Sequence, residues 1–375
     1  MKKLNGLCAR TILLAAITAL AAVAAAPRPV LAQSEPTIDK TSVQVTTQEH
    51  RVSYANGQED RSLWSWTPRI EFRVGGPITS GSQLQVEYFL PGGKSWIKVD
   101  CETGEVGANQ WWKVGNPPCG NDLPDEQGVT TLGPVDFKIS IRNELRGTSK
   151  TLFAGKFSVG KVQVGLKTPE FKNNFDYYVM HDWNLPIGYV YQADPEDYLG
   201  EAEPAAVDFA PVAVSMWFRG DFNAADRITA HLFYNGKEVS NTADSSKGSS
   251  HQEAHNTTYE STPYVWRRYR FMFTNALLFN REDPDNHPNA FRMDKNPGEY
   301  EVKVVRNGKL VRAAKFTVGP GGKINDNGIA SGNGLGTKRI VMPVQVLGAE
   351  DGEWDRTAWK TTAFYGNPLS GFTAP

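Results

Sequence analysis

Residues 72–92, FRVGGPITSGSQLQVEYFLPG, align without a gap on residues 216–236, MWFRGDFNAADRITAHLFYNG. Gly76 falls on Gly220, Ile78 on Phe222, Leu84 on Ile228, Val86 on Ala230, Tyr88 on Leu232 and Leu90 on Tyr234. The matched apolar residues recur every second position, the period of a strand with one buried face. Further along the chain, Phe137-Lys-Ile-Ser-Ile-Arg-Asn143 falls on Tyr300-Glu-Val-Lys-Val-Val-Arg-Asn307 with one inserted residue, and Lys156-Phe-Ser-Val-Gly160 falls on Lys315-Phe-Thr-Val-Gly319. Three blocks in one order predict an internal duplication.

Each copy reads as strand, turn, strand, long loop and a terminal hairpin. The second hairpin is the plainer, because Glu299 to Val305 alternates, Asn307-Gly308 supplies the turn and Leu310 to Val318 alternates again. In the first copy Val135 to Ile141 and Thr151 to Val159 flank a longer turn around Gly147. No segment of either copy has helical period. The predicted class is all-β, with two tandem antiparallel sandwiches that resemble immunoglobulin and fibronectin domains in architecture. The 35 Gly, 23 Pro, 18 Phe, 13 Tyr and 10 Trp agree with this, since turns and aromatic strands use those residues.

Six segments divide the chain into the following expected order: a signal peptide over 1–32, a first sandwich over 33–162, an aromatic connector over 163–207, a second sandwich over 208–319, a glycine-rich linker over 320–337 and a packing segment over 338–375. The connector holds Phe171, Phe175, Tyr177, Tyr178, Trp183, Tyr189 and Tyr191, too many rings for a free linker. Gly319 to Gly336 contains seven glycines and reads as a flexible tether. Asn184-Leu-Pro-Ile-Gly-Tyr189 faintly echoes Asn367-Pro-Leu-Ser-Gly-Phe372, so a closing segment is expected to pack back across its domain.

Lys2, Lys3 and Arg10 precede an apolar run from Ile12 to Ala26, and Val30-Leu31-Ala32 supplies small residues for cleavage after Ala32. The run is short for a membrane span and ends at Pro27 and Pro29, so export to the periplasm or the medium is expected, with no integral membrane segment after cleavage. Cleavage leaves 36 basic against 41 acidic residues, a net charge of −5, which disfavours nucleic acid and anionic lipid as partners. It also removes Cys8, leaving Cys101 and Cys119 as an even pair expected to form a disulfide across a Gly- and Pro-rich loop. A redox-active pair would ordinarily have the tighter C-x-x-C spacing.

Several segments carry chemistry-bearing residues. His251-Gln-Glu-Ala-His255, with His287 in an acidic loop, would offer zinc three imidazoles, but the zincin pattern needs Glu directly after the first His on a helix. A solvated polar loop over Ser245 to Thr258 is the competing expectation. Asp283, Asp285 and Asn286 crowd oxygens without the repeating calcium-loop pattern. There is no G-x-S-x-G, and Gly332-Asn-Gly-Leu-Gly336 has neither the strand before it nor the helix after it that a dinucleotide site requires, so no cofactor is expected. The remaining candidates are aromatic. Trp111 and Trp112 lie in the first copy's long loop, and Tyr264, Trp266, Arg267 and Arg268 lie in the second's. Exposed rings stack on sugars and arginines pair with acids, whereas strand alternation would turn about half of such rings into a core.

These features predict an exported, non-enzymatic protein that binds or builds the envelope, its partner an envelope protein or polysaccharide. Carbohydrate binding on the Trp, Tyr and Arg platforms is the named alternative, and a metal-dependent hydrolase with a His-rich loop is the second. Loops on a rigid sandwich are where binding residues concentrate, which places any contact around Tyr264 and Trp266.

Overall fold

The computed structural model describes residues 35–52, 63–108, 110–115, 119, 123, 125–163, 174–193, 209–220, 227–257, 265–280, 289–336, 338–361, 365 and 367–375. The first module comprises β1 (Thr37–Val52), β2 (Leu63–Gly75), β3 (Ser82–Leu90), β4 (Lys94–Cys101), β5 (Trp111–Val114), β6 (Gly133–Asn143), β7 (Thr148–Gln163) and β8 (Phe175–Val179). These strands build one sheet of order β1-β2-β5 and a second of order β4-β3-β6-β7-β8, all of their pairings antiparallel. Period two is visible in the burial, with Leu84, Val86 and Tyr88 of β3 pointing inward opposite Ile141, Ile139 and Phe137 of β6.

The second module comprises β9 (Ile187–Gln192), β10 (Phe209–Arg219), β11 (Ile228–Tyr234), β12 (Lys237–Asn241), β13 (Ser249–His255), β14 (Trp266–Asn280), β15 (Phe291–Arg292), β16 (Gly298–Arg306), β17 (Lys309–Val318) and β18 (Arg339–Val346). They form a continuous ten-stranded sheet of order β12-β11-β16-β17-β18-β9-β10-β14-β13, with β15 added on β14. The sheet folds over on itself, because Val212, Val214, Phe271 and Phe273 from one limb share a core with Leu232, Tyr300, Val302 and Phe316 from the other. The result is an all-β molecule of sandwich-like half-barrels. Asn235-Gly236 and Asn307-Gly308 close the two hairpins with positive φ at both residues, 49° and 74°, then 51° and 79°, as a two-residue hairpin turn demands.

The strand orders of the two modules correspond. The order β4-β3-β6-β7-β8 matches β12-β11-β16-β17-β18, and β1-β2-β5 matches β9-β10-β14. At the matched glycines, a side chain on Gly76 would overlap the carbonyl oxygens of Val106 and Gly107, and Gly220 sits at φ +102°. The ladder corrects one detail of the sequence alignment. Phe137 lies opposite Tyr88, and Val302, not Tyr300, lies opposite the matched Leu232. A shift of two keeps every side chain on its own face, so alternation alone does not detect it.

Other expectations are corrected more substantially. The connector expected over 163–207 supplies β8 to the first module and β9 to the second. The expected tether over 320–337 is folded, with Gly319 N–H donating to Lys323 O, the short helix α1 (Ile329–Gly332), and Ile329 and Ala330 buried. The packing segment expected over 338–375 contains β18, an interior strand of the sheet. The second copy's long loop contains β12, β13 and β14. Both faces of β14 are covered, Phe271 and Phe273 by the module's own core and Met272 by the first module, while Arg268 and Arg270 line the junction, so no clean alternation of wet and dry faces is there to read. The expected signal segment over 1–32 lies outside the described residues.

The hydrophobic core of the first module continues into the outer face of the second sheet. Trp66, Phe137 and Phe157 belong to one cluster with Tyr189, Tyr191, Ala213, Met272 and Val341. The end of the chain completes that cluster after the helical turn α2 (Ala358–Thr361): Tyr365, Leu369 and Phe372 are buried in it, and the Tyr365 hydroxyl donates to Val43 O at 2.6 Å. The closing segment therefore packs across the junction between modules, not across its own module.

Candidate functional site

The outer faces of the β1-β2-β5 sheet and of the β18-β9-β10-β14-β13 limb confront each other, and two cavities lie between them. The smaller, about 350 Å³, is lined by Ser42, Gln44, Glu71, Arg73 and Lys113 from the first module and by His251, Gln252, Glu253, Arg268, Arg270 and Arg339 from the second. The larger, about 670 Å³, shares Arg73 and Arg339 with it and extends past Asp39, Tyr191, Lys323 and Lys338. Both volumes fall in the range of roughly 300–1,000 Å³ usual for ligand sites.

A bulge in β13 explains how Glu253 reaches this cleft. Gln252 pairs with Tyr269 and Ala254 with Arg268, so Glu253 is the extra residue, and a bulge re-aims the side chain it carries. The Arg268 Nε donates to Glu253 Oε2 at 2.9 Å, the Arg270 guanidinium lies 3.8 Å from Oε1, and the Ser215 hydroxyl donates to Oε2 at 3.0 Å. The Tyr191 hydroxyl reaches Oε1 at 3.4 Å and Ser215 Oγ at 3.1 Å, while the Arg339 guanidinium covers the Tyr191 ring at 4.4 Å. Burial works to raise the Glu253 pKa, but Arg268, Arg339 and Arg270, helped by Ser215, outweigh it and hold the carboxyl at about 2.

The charge of this cleft opposes that of the chain. Five cations, Arg73, Lys113, Arg268, Arg270 and Arg339, line the smaller cavity against the carboxylates Glu71 and Glu253, a net of +3. Lys323 and Lys338 against Asp39 add one more positive charge along the larger cavity. Lys113 and Glu71 pair at 3.2 Å at the exposed rim.

The residues proposed from sequence are dispersed in instructive ways. Arg268 lines the cleft, but Trp266 is 1% exposed, with its Nε1 donating to Asp182 Oδ1 at 3.1 Å and its ring lying beside Tyr178 at 5.5 Å. Arg267 is buried and donates to Gln252 Oε1 at 2.9 Å. Tyr264 lies outside the described residues. Trp111 and Trp112 are 37% and 47% exposed. Trp111 and Trp266 open equivalent strands, since they pair with Gly75 and Arg219, matched positions of the repeat. One ring is accessible, with Lys338 4.9 Å over it, and its counterpart is core.

His251 and His255 stand on strand β13, not on a polar loop, four residues and therefore about 13 Å of strand apart. His251 is exposed at the cleft, His255 Nδ1 is hydrogen-bonded to Thr257 O, and His287 lies outside the described residues. Among the described residues no three potential metal ligands converge. Cys101 and Cys119 lie at disulfide distance with Cα atoms 4.4 Å apart, tying the end of β4 to the loop after β5. Among the described residues no helix is long and apolar enough to cross a membrane.

Sequence reasoning missed Arg73 and Arg339, met Arg270 only as a neighbour of Trp266, and met Glu253 only as a misplaced member of a zinc pattern. They come from four strands on two modules, and only the strand orders bring them together. Neither a family model nor a curated protein matches the chain.

Proposed function

We propose that this chain is an exported, non-enzymatic binding module that takes its ligand into the cleft between its two β modules. The observation that carries this reading is the cleft itself, walled by both modules and held positive by arginines whose positions are fixed on paired strands. Sites built on strands are more rigid than sites on loops, and rigidity lowers the entropy lost on binding. The corresponding strand orders support descent of the modules from one duplicated unit, in which the confronting faces later diverged. Export is supported by the basic and apolar segment over 1–32 and by the cysteine pair. The expected partner is an envelope polysaccharide or protein.

Two experiments test this. Mass spectrometry of the exported protein is expected to find an amino terminus at Gln33, and a start at Met1 would contradict export. Arrays of polysaccharides and envelope proteins are to be probed with wild type and with His251→Trp, which narrows the cleft from an exposed position while leaving its arginines in place. Binding lost in the variant at an unchanged thermal midpoint supports the cleft, and unchanged binding places the site elsewhere, around Trp111 and Trp112.

A further inference from the structure

Four guanidinium groups, of Arg73, Arg268, Arg270 and Arg339, line the smaller cavity against one buried carboxylate, Glu253. With Lys113 and Glu71 counted, the lining carries a net charge of +3, and a cleft with low-dielectric walls concentrates the resulting field on whatever enters it. The planar guanidinium fork matches carboxylate and sulfate groups through two parallel hydrogen bonds. Gln44 and Gln252 line the same space, and side-chain amides both donate to and accept from hydroxyl groups.

The rings beside the cleft narrow the choice further. Tyr191 is buried under Arg339 at 4.4 Å, and Trp111, 37% exposed, has Lys338 over one face at 4.9 Å, so among the described residues the cleft offers no series of open rings. Single-stranded nucleic acid is held by a series of open rings on which successive bases stack, and the mature chain carries a net charge of −5. A polyanion recognised by its charges and hydroxyls, without stacking, fits better. Arg73 and Arg339 line both cavities, so an anion seated at either one lies against the same two guanidinium groups.

Resting on the cleft as the binding site, we infer that its ligand is an acidic glycan, with one carboxylate or sulfate group seated among Arg73, Arg270 and Arg339.

The test uses affinity electrophoresis and calorimetry on the full mature chain. The probes are polygalacturonate, a sulfated dextran, carboxyl-reduced polygalacturonate as the uncharged counterpart, and a single-stranded oligonucleotide. Retardation by an acidic polymer, none by the reduced one, and weakening with added salt are expected. Preference for polygalacturonate over the sulfated dextran, or the reverse, tells which acid group the cleft takes. Arg73→Gln with Arg270→Gln is expected to weaken binding at least tenfold in protein that is still folded at the assay temperature. Lys113→Gln, at an exposed position on the rim, serves as a milder variant should the double variant fold poorly, and is expected to weaken binding about threefold.

Equal binding of the reduced polymer, equal binding of the oligonucleotide, or binding of neither acidic polymer would overturn the acidic-glycan inference. The cleft reading is judged separately, by the effect of His251→Trp on whatever the array retains. Acidic-polymer binding untouched by the arginine, lysine and His251→Trp variants would remove both.

Discussion

His181 lies at the junction of the modules, 1% exposed, with its ring stacked on Trp217 at 4.4 Å and 22° and its Nδ1 3.4 Å from the Asn184 amide. Burial, and then the positive charge of Arg268, push its pKa down from 6.5 to about 3, against a backbone hydrogen bond involving Val45 that works the other way. The folded state thus binds fewer protons than the unfolded chain between those values. The stability this residue contributes is complete above pH 6.5 and is lost as the pH falls toward 3. At about 1.4 kcal/mol per pH unit, acidification from pH 7.5 to 5.0 removes about 2 kcal/mol through this side chain alone.

The reverse effect comes from Asp176, whose carboxyl burial raises to about 6, against hydrogen bonds with Glu49 and Thr257. Its folded pKa lies above the ordinary 3.8, so its contribution is most favourable below 3.8 and fades as the pH rises through 6. Over the same interval it returns about 1.4 kcal/mol on acidification, which hides most of the histidine effect in wild type. A comparison with His181→Gln separates them. The replacement costs the same at both pH values, and the Asp176 contribution is common to both proteins. In urea unfolding, the stability gap between wild type and variant is expected to close by about 2 kcal/mol on going from pH 7.5 to 5.0. A gap constant to within about 0.5 kcal/mol would mean that His181 titrates alike in both states, and the reasoning from burial would fail.

Glu253→Gln removes a carboxylate held at about 2 against an ordinary value of 4.5, so its contribution of about 3 kcal/mol at pH 7 is expected to fall by more than half at pH 3, as measured by chemical denaturation. Asp351 accepts two hydrogen bonds from Arg312, at 2.6 and 2.7 Å, and one from Arg219 N–H at 2.7 Å. Asp351→Ala strands the buried Arg312 and is expected to cost about 3–5 kcal/mol in urea, whereas replacing both partners by apolar residues restores most of it. Thiol titration without reductant is expected to find no free cysteine in the mature chain, and reduction of the Cys101–Cys119 pair, 18 residues apart, to lower stability by about 3 kcal/mol.

Elements with one wet and one dry face were legible before any coordinates. The β3-β6 and β16-β17 pairs show it, because Leu84, Val86 and Tyr88, or Tyr300, Val302 and Val304, alternate with exposed or half-exposed polar neighbours. Elements buried on both faces were not, and β14 was mistaken for loop because its outer residues, Trp266, Arg268, Arg270 and Met272, mix charge with ring and thioether. Charge there reflects the polar junction with the other module, not solvent. Of the residues that line the cleft, the sequence pointed to Arg268 and Arg270 as neighbours of Trp266, and Trp111 and Trp112 lie outside that lining. Glu253 was noticed only as a misplaced member of a zinc pattern, since nothing in a local window signals a bulge.

By itself the sequence determined the all-β class, the order of strands around the matched glycines and the pairing of two cysteines, because alternation, turn chemistry and cysteine count are local or compositional properties. The tertiary structure alone decided that β18 threads into the middle of the second sheet, that residues 365–372 cross back to the junction, and that arginines from three strands surround one glutamate. Those facts depend on which faces of separate sheets meet. Contacts between distant strands carry no periodicity of their own, so a chain reveals them only once it has folded.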